Sequence, residues 1–407
     1  MTKEREILNL RHIRVFLEVA RFGGISAAAD TVSLSQPAIT QAIAKLEATF
    51  QQGLFVRTSS GMFLTEAGEL FRARADRALE LVSQGCDLAV RKQSRNLPAR
   101  KATFDQQITS TQLRALLAVE HSGNFTLAAR HIGVSQPSLH RVSRDLEAVS
   151  GLRLFVKNQQ GIDLTDAARV LAQFSKLAYA ELKLAFEEVD ATRGVDSAHL
   201  VVGSLPLARS FILPEAINDL TRERPSVQVT VVDGSYDDML FGLRHGDIDF
   251  IIGALRDPVP IEDVEQTALF SDRLGIFART GHPLANKRRV ELTDLLSYPW
   301  AVPRFGTPTR RFFDALFEER GEQAPGRLVD SGSLVLMKGV LKGSDRLALI
   351  SEHQMREDLA NRQVVRIPFD VSHTARPIGI TTRRNWKPTR TQQEFMALIR
   401  EAVEKLV

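Results

Sequence analysis

Residues 35–47 read SQPAITQAIAKLE, and residues 135–147 read SQPSLHRVSRDLE. The same offset of 100 aligns FLEVARFGG with LLAVEHSGN, SAAADTVSLSQP with TLAARHIGVSQP, and LFVRTSSGMFLTEAG with LFVKNQQGIDLTDAA, without a gap. Self-similarity this long and collinear marks a duplicated module. Whatever one copy folds into, the chain must build twice.

Each copy reads as three short helices and a hairpin. In the first, Ile13, Phe16, Leu17 and Ala20 form the apolar stripe of a helix. Ser26 is expected to cap the second helix and Ser35 the third, with Pro37 in a first turn that needs no N–H from it. Ile39, Ile43 and Leu46 then face inward, leaving Thr40, Gln41, Ala44 and Lys45 outward. LFVRTSSGMFLT follows as strand, polar turn with Gly61, and strand. The second copy repeats the plan with Thr126, Ser135 and Pro137, and its outward residues are His140, Arg141 and Arg144. Ser143 stands where the first copy has the inward Ile43, and Val142 is placed to compensate by a slight rotation. A long amphipathic helix follows each hairpin, with stripes Phe71, Ala75, Ala78, Val82 and Leu171, Phe174, Ala178, Leu182, Ala185. Between the copies RKQSRNLPARKATFDQQ is polar, basic and broken by Pro98, a linker.

From His199 the texture changes. HLVVGSLPLA, VQVTVVDG and DIDFIIGAL read as strands, alternating with helical RSFILPEAINDLTRERP and DDMLFGLRHG, which predicts an open α/β sheet. LGIFAR, YPWAVP, LALIS and PIGITTRR continue it, and TRTQQEFMALIREAVEKLV closes as an amphipathic helix. The single cysteine, Cys86, excludes a disulfide framework and a Cys-rich metal site. The charged start MTKEREILNLRHIRVF has no secretory core, and no apolar run reaches membrane-spanning length, so a cytoplasmic protein without membrane contact is expected. Residues 1–195 hold 25 Lys+Arg against 20 Asp+Glu, while the remainder holds 28 against 29. A mildly basic first half suits phosphate contacts, and equally an ordinary solvated surface.

On SAAADTVSLSQPAITQAIAKLE, GLFVRTSSGMFLTEAG, the repeat of both, and the downstream ILPEAINDLTRERPSVQVTVVDG, LRHGDIDFIIG and GHPLA, the chain resembles LysR-type transcriptional regulators over nearly its whole length. The resemblance implies a winged helix-turn-helix at 8–66, a linker helix at 67–93, a connector at 94–108, a second winged helix-turn-helix at 109–166 and a second linker helix at 167–194. A two-lobed α/β effector domain of periplasmic-binding-protein type follows, lobe one at 199–267 and 386–407, lobe two at 268–385. Most of the family carries one winged helix, so the second copy is the departure. The family commonly has Ser then Arg where this chain has Thr40 and Gln41, then His140 and Arg141.

Double-stranded operator DNA, a small-molecule effector, further copies of the chain and RNA polymerase are the partners implied, with no cofactor and no metal. For DNA the residues indicated are Ser35, Gln36, Pro37, Thr40, Gln41, Lys45 and Arg57, and in the second copy Ser135, Gln136, Pro137, His140, Arg141, Arg144 and Lys157. Gln suits adenine and Arg suits guanine, while Arg57 and Lys157 on the hairpins suit phosphate or the minor groove. In α/β sheets ligands sit beyond the carboxyl ends of strands, which points to Ser204, Leu205, Gly234 and Ser235; the two-lobed resemblance adds Arg304, Phe305, Thr307, Arg310 and Ser331 from the facing lobe, and helix N-termini with hydroxyls suit a carboxylate or phosphorylated metabolite. In the family the linker helices pair antiparallel, so the two copies here are expected to form a pseudo-dimer within one chain. A cytosolic solute-binding protein and an architectural DNA binder with one reading copy remain open. An enzyme is not expected, since no phosphate-binding loop, dinucleotide fingerprint, nucleophile elbow or metal-spaced histidine pair is present.

Overall fold

The computed structural model describes residues 8–32, 34–93, 104–159 and 161–406, so most of the connector expected at 94–108 lies outside the described residues. The chain divides into two compact units, Met1–Ala198 with Arg244–Asp247, and His199–Leu243 with Ile248–Val407.

In the first unit one order of elements is used twice. Helices α1 (Leu10–Phe22), α2 (Ile25–Val32) and α3 (Gln36–Phe50) lead into the antiparallel hairpin β1 (Phe55–Thr58) and β2 (Gly61–Leu64), then into α4 (Glu66–Gln93). Helices α5 (Ser110–Ser122), α6 (Phe125–Ile132) and α7 (Gln136–Ser150), hairpin β3 (Phe155–Asn158) and β4 (Gly161–Leu164), and α8 (Asp166–Ala191) repeat it. Helix α8 is shorter than the 167–194 expected at its far end, because Thr192 caps it and Gly194 turns the chain at φ +72.

The same local chemistry holds both copies. Gly23 and Gly123 end α1 and α5 in the left-handed conformation. Their carbonyls accept hydrogen bonds from Met62 N–H at 2.8 Å and Ile162 N–H at 3.0 Å, which ties each hairpin to its first helix. Gly61 and Gly161 pass so close that a Cβ on either would stand 2.7 Å from that carbonyl oxygen, at φ +137 and +144, so only glycine fits. Glu47 accepts from the Leu54 and Phe55 amides at 2.9 and 3.3 Å. Glu147 does the same for Leu154 and Phe155 at 2.7 and 3.2 Å. The caps of the second helices differ from expectation. Ser26 and Thr126 lie inside α2 and α6, which begin one residue earlier. Asn124 caps α6, accepting from Thr126 and Leu127 N–H at 2.7 and 3.2 Å.

One apolar core runs through both copies, taking in Phe16, Phe50 and Phe71 from the first and Leu116, Leu146 and Leu171 from the second. Its centre is the pairing of α4 with α8. Arg74 meets Glu181 and Glu188 at 2.8 and 2.7 Å, and Gly85 meets Phe174 so tightly that a Cβ there would lie 2.6 Å from that residue's own Cβ. Residue numbers rise along one helix as they fall along the other, so the pair is antiparallel. At one end the Gln93 side chain bonds to Gly151 and Arg153; at the other Gln52 bonds to Thr192 at 3.0 Å. Ser110 Oγ accepts from Leu10 N–H and donates to Leu8 C=O, both at 2.9 Å, so residues 100 apart touch where α1 and α5 begin.

The second unit contains two five-stranded sheets. In chain order its elements are β5 (His199–Ser204), α9 (Ile212–Glu223), β6 (Gln228–Val232), α10 (Tyr236–His245), β7 (Phe250–Ala254), β8 (Val264–Asp272), β9 (Leu274–Arg279), α11 (Leu292–Leu296) and β10 (Trp300–Val302). Then come α12 (Pro308–Glu318), β11 (Leu328–Asp330), α13 (Leu334–Lys342), β12 (Leu347–Ser351), α14 (Arg356–Ala360), β13 (Val364–Arg366), β14 (Arg376–Arg383) and α15 (Arg390–Glu404). The sheets run β6-β5-β7-β14-β8 and β11-β10-β12-β9-β13. This corrects the lobe boundary. Residues 268–272 and 376–383, assigned to lobe two, pair in the first sheet, with Ile378 opposite Ala254 and Phe270. Strand β14 lies inside this sheet between β7 and β8, a long-range pairing that leaves no local trace in the sequence. Helix α15 packs on α9, with Lys405 bonded to Glu215 at 2.7 Å.

Arg74 is buried, as is Glu181. Burial opposes the arginine's charge, but its hydrogen bonds to Glu188 and the nearby charges of Glu181 and Glu188 outweigh this and raise its pKa. Breaking a buried ionic cluster by removing one partner costs about 3–5 kcal/mol. Arg74→Met is therefore expected to destabilise the first unit on that scale in urea unfolding followed by helical circular dichroism. Arg74→Met/Glu181→Leu/Glu188→Leu should recover most of the loss. A single variant as stable as wild type would show that the cluster does not hold the pair together.

Candidate functional site

Helix α3 begins behind Ser35 with Pro37 in its first turn, and α7 begins behind Ser135 with Pro137 likewise. Ser135 Oγ accepts the Ser138 N–H at 3.3 Å, while Ser35 makes no such side-chain bond. Ile39, Ile43 and Leu46 are buried beneath α3; Leu139, Ser143 and Leu146 are buried beneath α7. That leaves Ser35, Gln36, Pro37, Thr40, Gln41, Ala44 and Lys45 exposed on one copy, and Ser135, Gln136, Pro137, Arg141, Arg144 and Asp145 on the other. Gln36, Pro37, Ala38, Thr40, Gln41 and Ala44 line a shallow open depression along α3. Arg57 and Lys157 are exposed on β1 and β3, near the hairpin tips.

Three side chains are more committed than their outward positions suggest. Thr40 Oγ1 donates to the Gln36 carbonyl at 2.9 Å. Thr126 and Gln136 share a hydrogen bond at 3.1 Å. His140 is half-buried and stacks on Phe125 with ring centroids 4.0 Å apart, so it braces α7 against α6 where a free reading residue was expected. The Ser143 hydroxyl is buried without a hydrogen-bond partner, which makes that position the weak point of the second copy. Val142 packs against the core beside it.

In the second unit the expected effector residues fall into local sets. Ser204 ends β5 fully buried, its hydroxyl directed to the Leu205 carbonyl at 3.3 Å, in place of a free donor. Leu205 packs against Gly253, at φ +152, closely enough that a Cβ there would lie 2.4 Å away. Gly234 is exposed, and Ser235 caps α10, bonding the Asp238 carboxylate at 2.6 Å. Thr307 caps α12 by accepting the Arg310 N–H at 3.3 Å. Arg310 is held by Asp314 and Asp330 at 2.9 and 3.0 Å, so its charge is already answered inside the protein, against the expectation that it meets a ligand anion. Arg304 lies against Gly332, and Ser331 Oγ accepts the Ser333 N–H at 3.0 Å. Phe305 is 84% exposed.

A second group went unmarked in the sequence. Arg256, just past β7, lies over the Tyr236 ring at 4.2 Å. Burial lowers its pKa, as do the like charges of Arg311 on α12 and Arg376 on β14; Tyr236 and Asp237 act the other way. Arg376 bonds to Thr309 and to the buried Asp272. Among the described residues, Arg256 and Arg311 have no carboxylate within 4 Å. Tyr236 is buried, and its hydroxyl lies near Thr381 and Gln266 without an aligned hydrogen bond to either; the Gln266 amide nitrogen is likewise unbonded. Burial pushes the Tyr236 hydroxyl up from its ordinary pKa, against the nearby charge of Arg256. The signal available in sequence was the position of Arg256, one residue after the strand DIDFIIGAL, the carboxyl end from which ligand-binding groups come.

A three-helix unit with a β-hairpin wing, exposing the polar face of its third helix, joined to an α/β ligand-binding unit, defines an effector-responsive DNA-binding regulator. The comparisons with known proteins agree. The pattern described as "Bacterial regulatory helix-turn-helix protein, lysR family" matches residues 10–69 and again 110–169, and that of the "LysR substrate binding domain" matches residues 193–404. The HTH-type transcriptional regulator GalR of Pseudomonas putida is 33% identical over 98% of this chain and 98% of its own length. The uncharacterized HTH-type transcriptional regulator YdcI of Escherichia coli is 28% identical over 70% of this chain and 92% of its own. The HTH-type transcriptional regulator PcaQ of Agrobacterium fabrum is 26% identical over 74% and 97%. The chain belongs to the LysR family of DNA-binding transcriptional regulators, whose substrate-binding domain takes small-molecule effectors, and its relatives are regulators and not enzymes.

Arg57→Ala and Lys157→Ala test the wings as phosphate contacts. Each is expected to weaken binding about equally on any duplex and to reduce the log–log salt slope by about 1. Titrations from low to physiological salt that leave both slopes unchanged would remove the hairpins from the DNA interface.

Proposed function

We propose that both helix-turn-helix modules read DNA and that an anionic metabolite, held between the two lobes of the effector domain, controls how they are presented. The observation that carries the first half is the paired, exposed polar faces of α3 and α7 on matching scaffolds. The residues assigned to bases are Gln36, Gln41 and Lys45 on one face and Gln136, Arg141 and Arg144 on the other. The Ser35 and Ser135 helix ends, with Pro37 and Pro137, are assigned to phosphate. Such a protein works in the cytoplasm, and the described residues contain no helix long and apolar enough to cross a membrane.

The second half rests on the arginine cluster. Arg256 follows a strand of the first sheet, Arg311 belongs to a helix packed on the second, and Arg376 begins the strand that returns to the first. Three cations this close, two without a carboxylate, repel one another, and a bound carboxylate or phosphate relieves that repulsion. Tyr236 and Gln266 supply unused hydrogen-bonding groups beside it. Thr307, Ser331, Arg304 and Phe305 are assigned to the facing rim. Because Arg256 and Arg311 come from different lobes and Arg376 stands where the chain crosses back to the first sheet, an anion here stabilises one relative setting of those lobes, and a ligand shifts a conformational equilibrium by that difference in affinity. The duplicated module, the long helix after each copy, association of chains outside the DNA-reading modules and RNA polymerase nearby belong to the same proposal.

A panel of mono- and dicarboxylates and sugar phosphates, screened by thermal unfolding of the full chain, is expected to contain a stabilising anion. At 100 times its Kd such a ligand contributes about 2.7 kcal/mol. Arg256→Met should weaken that ligand at least tenfold, and its neutral amide or ester should give no shift. A ligand bound equally well by Arg256→Met, or one whose neutral analogue binds as well, would contradict the anion site.

A further inference from the structure

The pairing of α4 with α8 is specified as a pairing of unlike helices. The offset of 100 relates each contact of the pair to a mate on the other side of the pseudo-dyad. The mate of the contact from Arg74 to Glu181 is a contact from Phe174 to Leu81, and the mate of Gly85 against Phe174 is Ala185 against Arg74. One side of the pseudo-dyad is ionic and the other apolar. Two copies of α4 paired in this geometry would place each buried Arg74 against Leu81 and Leu88, with no carboxylate. Two copies of α8 would place Glu181 and Glu188 against Phe174, with no cation. An unpaired buried charge is among the costlier defects a helix interface can carry. Only α4 with α8 satisfies both sides. The end contacts obey the same dyad: Gln52 with Thr192 maps onto positions 152 and 92, beside the observed bonds of Gln93 to residues 151 and 153. There too the chemistry differs between the two ends. Phe50 packs on Phe186 at 4.6 Å between ring centroids, and the mates of that pair are Ser150 and Cys86.

The reading faces carried by this asymmetric frame are also unlike. At the four outward positions of α3 stand Thr40, Gln41, Ala44 and Lys45; at those of α7 stand His140, Arg141, Arg144 and Asp145. A symmetric dimer presents one face twice and so reads a palindrome. We infer that a single chain is a complete DNA reader for an asymmetric operator, whose one half-site is read by the amide of Gln41 and whose other half-site is read by the guanidinium groups of Arg141 and Arg144. Gln hydrogen-bonds adenine N6 and N7, and Arg hydrogen-bonds guanine O6 and N7, so the two half-sites differ in base preference. This rests on the proposal that both modules read DNA. It adds that they read different sequences and that the frame between them cannot be built from two equal helices.

The test is selection from a pool of random duplex DNA with the full chain, followed by footprinting on the enriched duplex. The expected result is a site with two dissimilar halves, one rich in contacted adenine and one in contacted guanine. Gln41→Ala/Lys45→Ala should lose base preference in one half alone, and Arg141→Ala/Arg144→Ala in the other alone, each with a loss of about 5- to 150-fold against the wild-type site. A face exchange that spares His140, Arg141→Gln/Arg144→Ala/Asp145→Lys, keeps the scaffold and should turn the selected site toward a palindrome. All these side chains are exposed, so the variants fold. A palindromic site with the wild-type chain overturns the inference and leaves the DNA-reading proposal standing. A site in which only one double variant matters overturns it as well and confines reading to one copy. No enriched sequence at all overturns both.

Discussion

A buried arginine between two glutamates decides how this chain is put together. Arg74 leaves water inside the contact of α4 with α8, and the carboxylates of Glu181 and Glu188 at 2.8 and 2.7 Å are what make that tolerable. A purely apolar seam would let either long helix pair with its own copy from another chain. The ionic cluster, set opposite the small Gly85 and the bulky Phe174, gives the seam a preferred partner. Buried charge here serves identity of pairing more than strength of pairing. From that follows the shared core of the first unit, the antiparallel run of the two helices and the exchange of contacts between residues 100 apart at Leu10 and Ser110.

Duplication and divergence act on different layers. The scaffold is alike in both: Glu47 and Glu147 hold the same strand amides, and a Cβ on Gly61 or Gly161 would stand the same 2.7 Å from the matching carbonyl oxygen. These interactions fix where the third helix and the wing stand, so they constrain both copies equally. The surface has moved apart. His140 has turned to brace Phe125, and Ser143 has entered the core with its hydroxyl unanswered, a cost of about 1–3 kcal/mol for a buried unpaired polar group. The second copy therefore carries a local cost in stability and presents Arg141 and Arg144 where the first presents Gln41 and Ala44. The alignment with GalR runs the full length of both proteins, whereas those with YdcI and PcaQ cover about three-quarters of this chain and nearly all of the relatives. A length that accommodates the repeated module is thus shared by GalR and not by YdcI or PcaQ.

What was legible in the sequence was local or periodic. The inward Ile39, Ile43 and Leu46, the proline in the first turn of α3 and α7, and the alternation of strand and helix after His199 all follow from spacings of a few residues. What was not legible depends on partners far along the chain. Asp272 and Arg376 meet over 104 positions, Arg74 and Glu181 over 107, and β14 enters the first sheet between strands more than a hundred residues earlier. Arg310 looked free because the carboxylates that hold it, Asp314 and Asp330, are identified only by geometry. The cap of α6 was misplaced by two residues because Asn124 and Thr126 are both good caps, and burial of Phe125 chose between them.

The asymmetric reader requires one chain to supply both halves. Native mass spectrometry of the full chain on a duplex carrying one selected site, counting chains per duplex, tests this directly. A ratio of one chain to one duplex, retained if chains associate further through their effector domains, is the result predicted. Two chains on each duplex even with duplex in excess would show that one chain does not fill the site alone, and the asymmetric single-chain reader would be wrong.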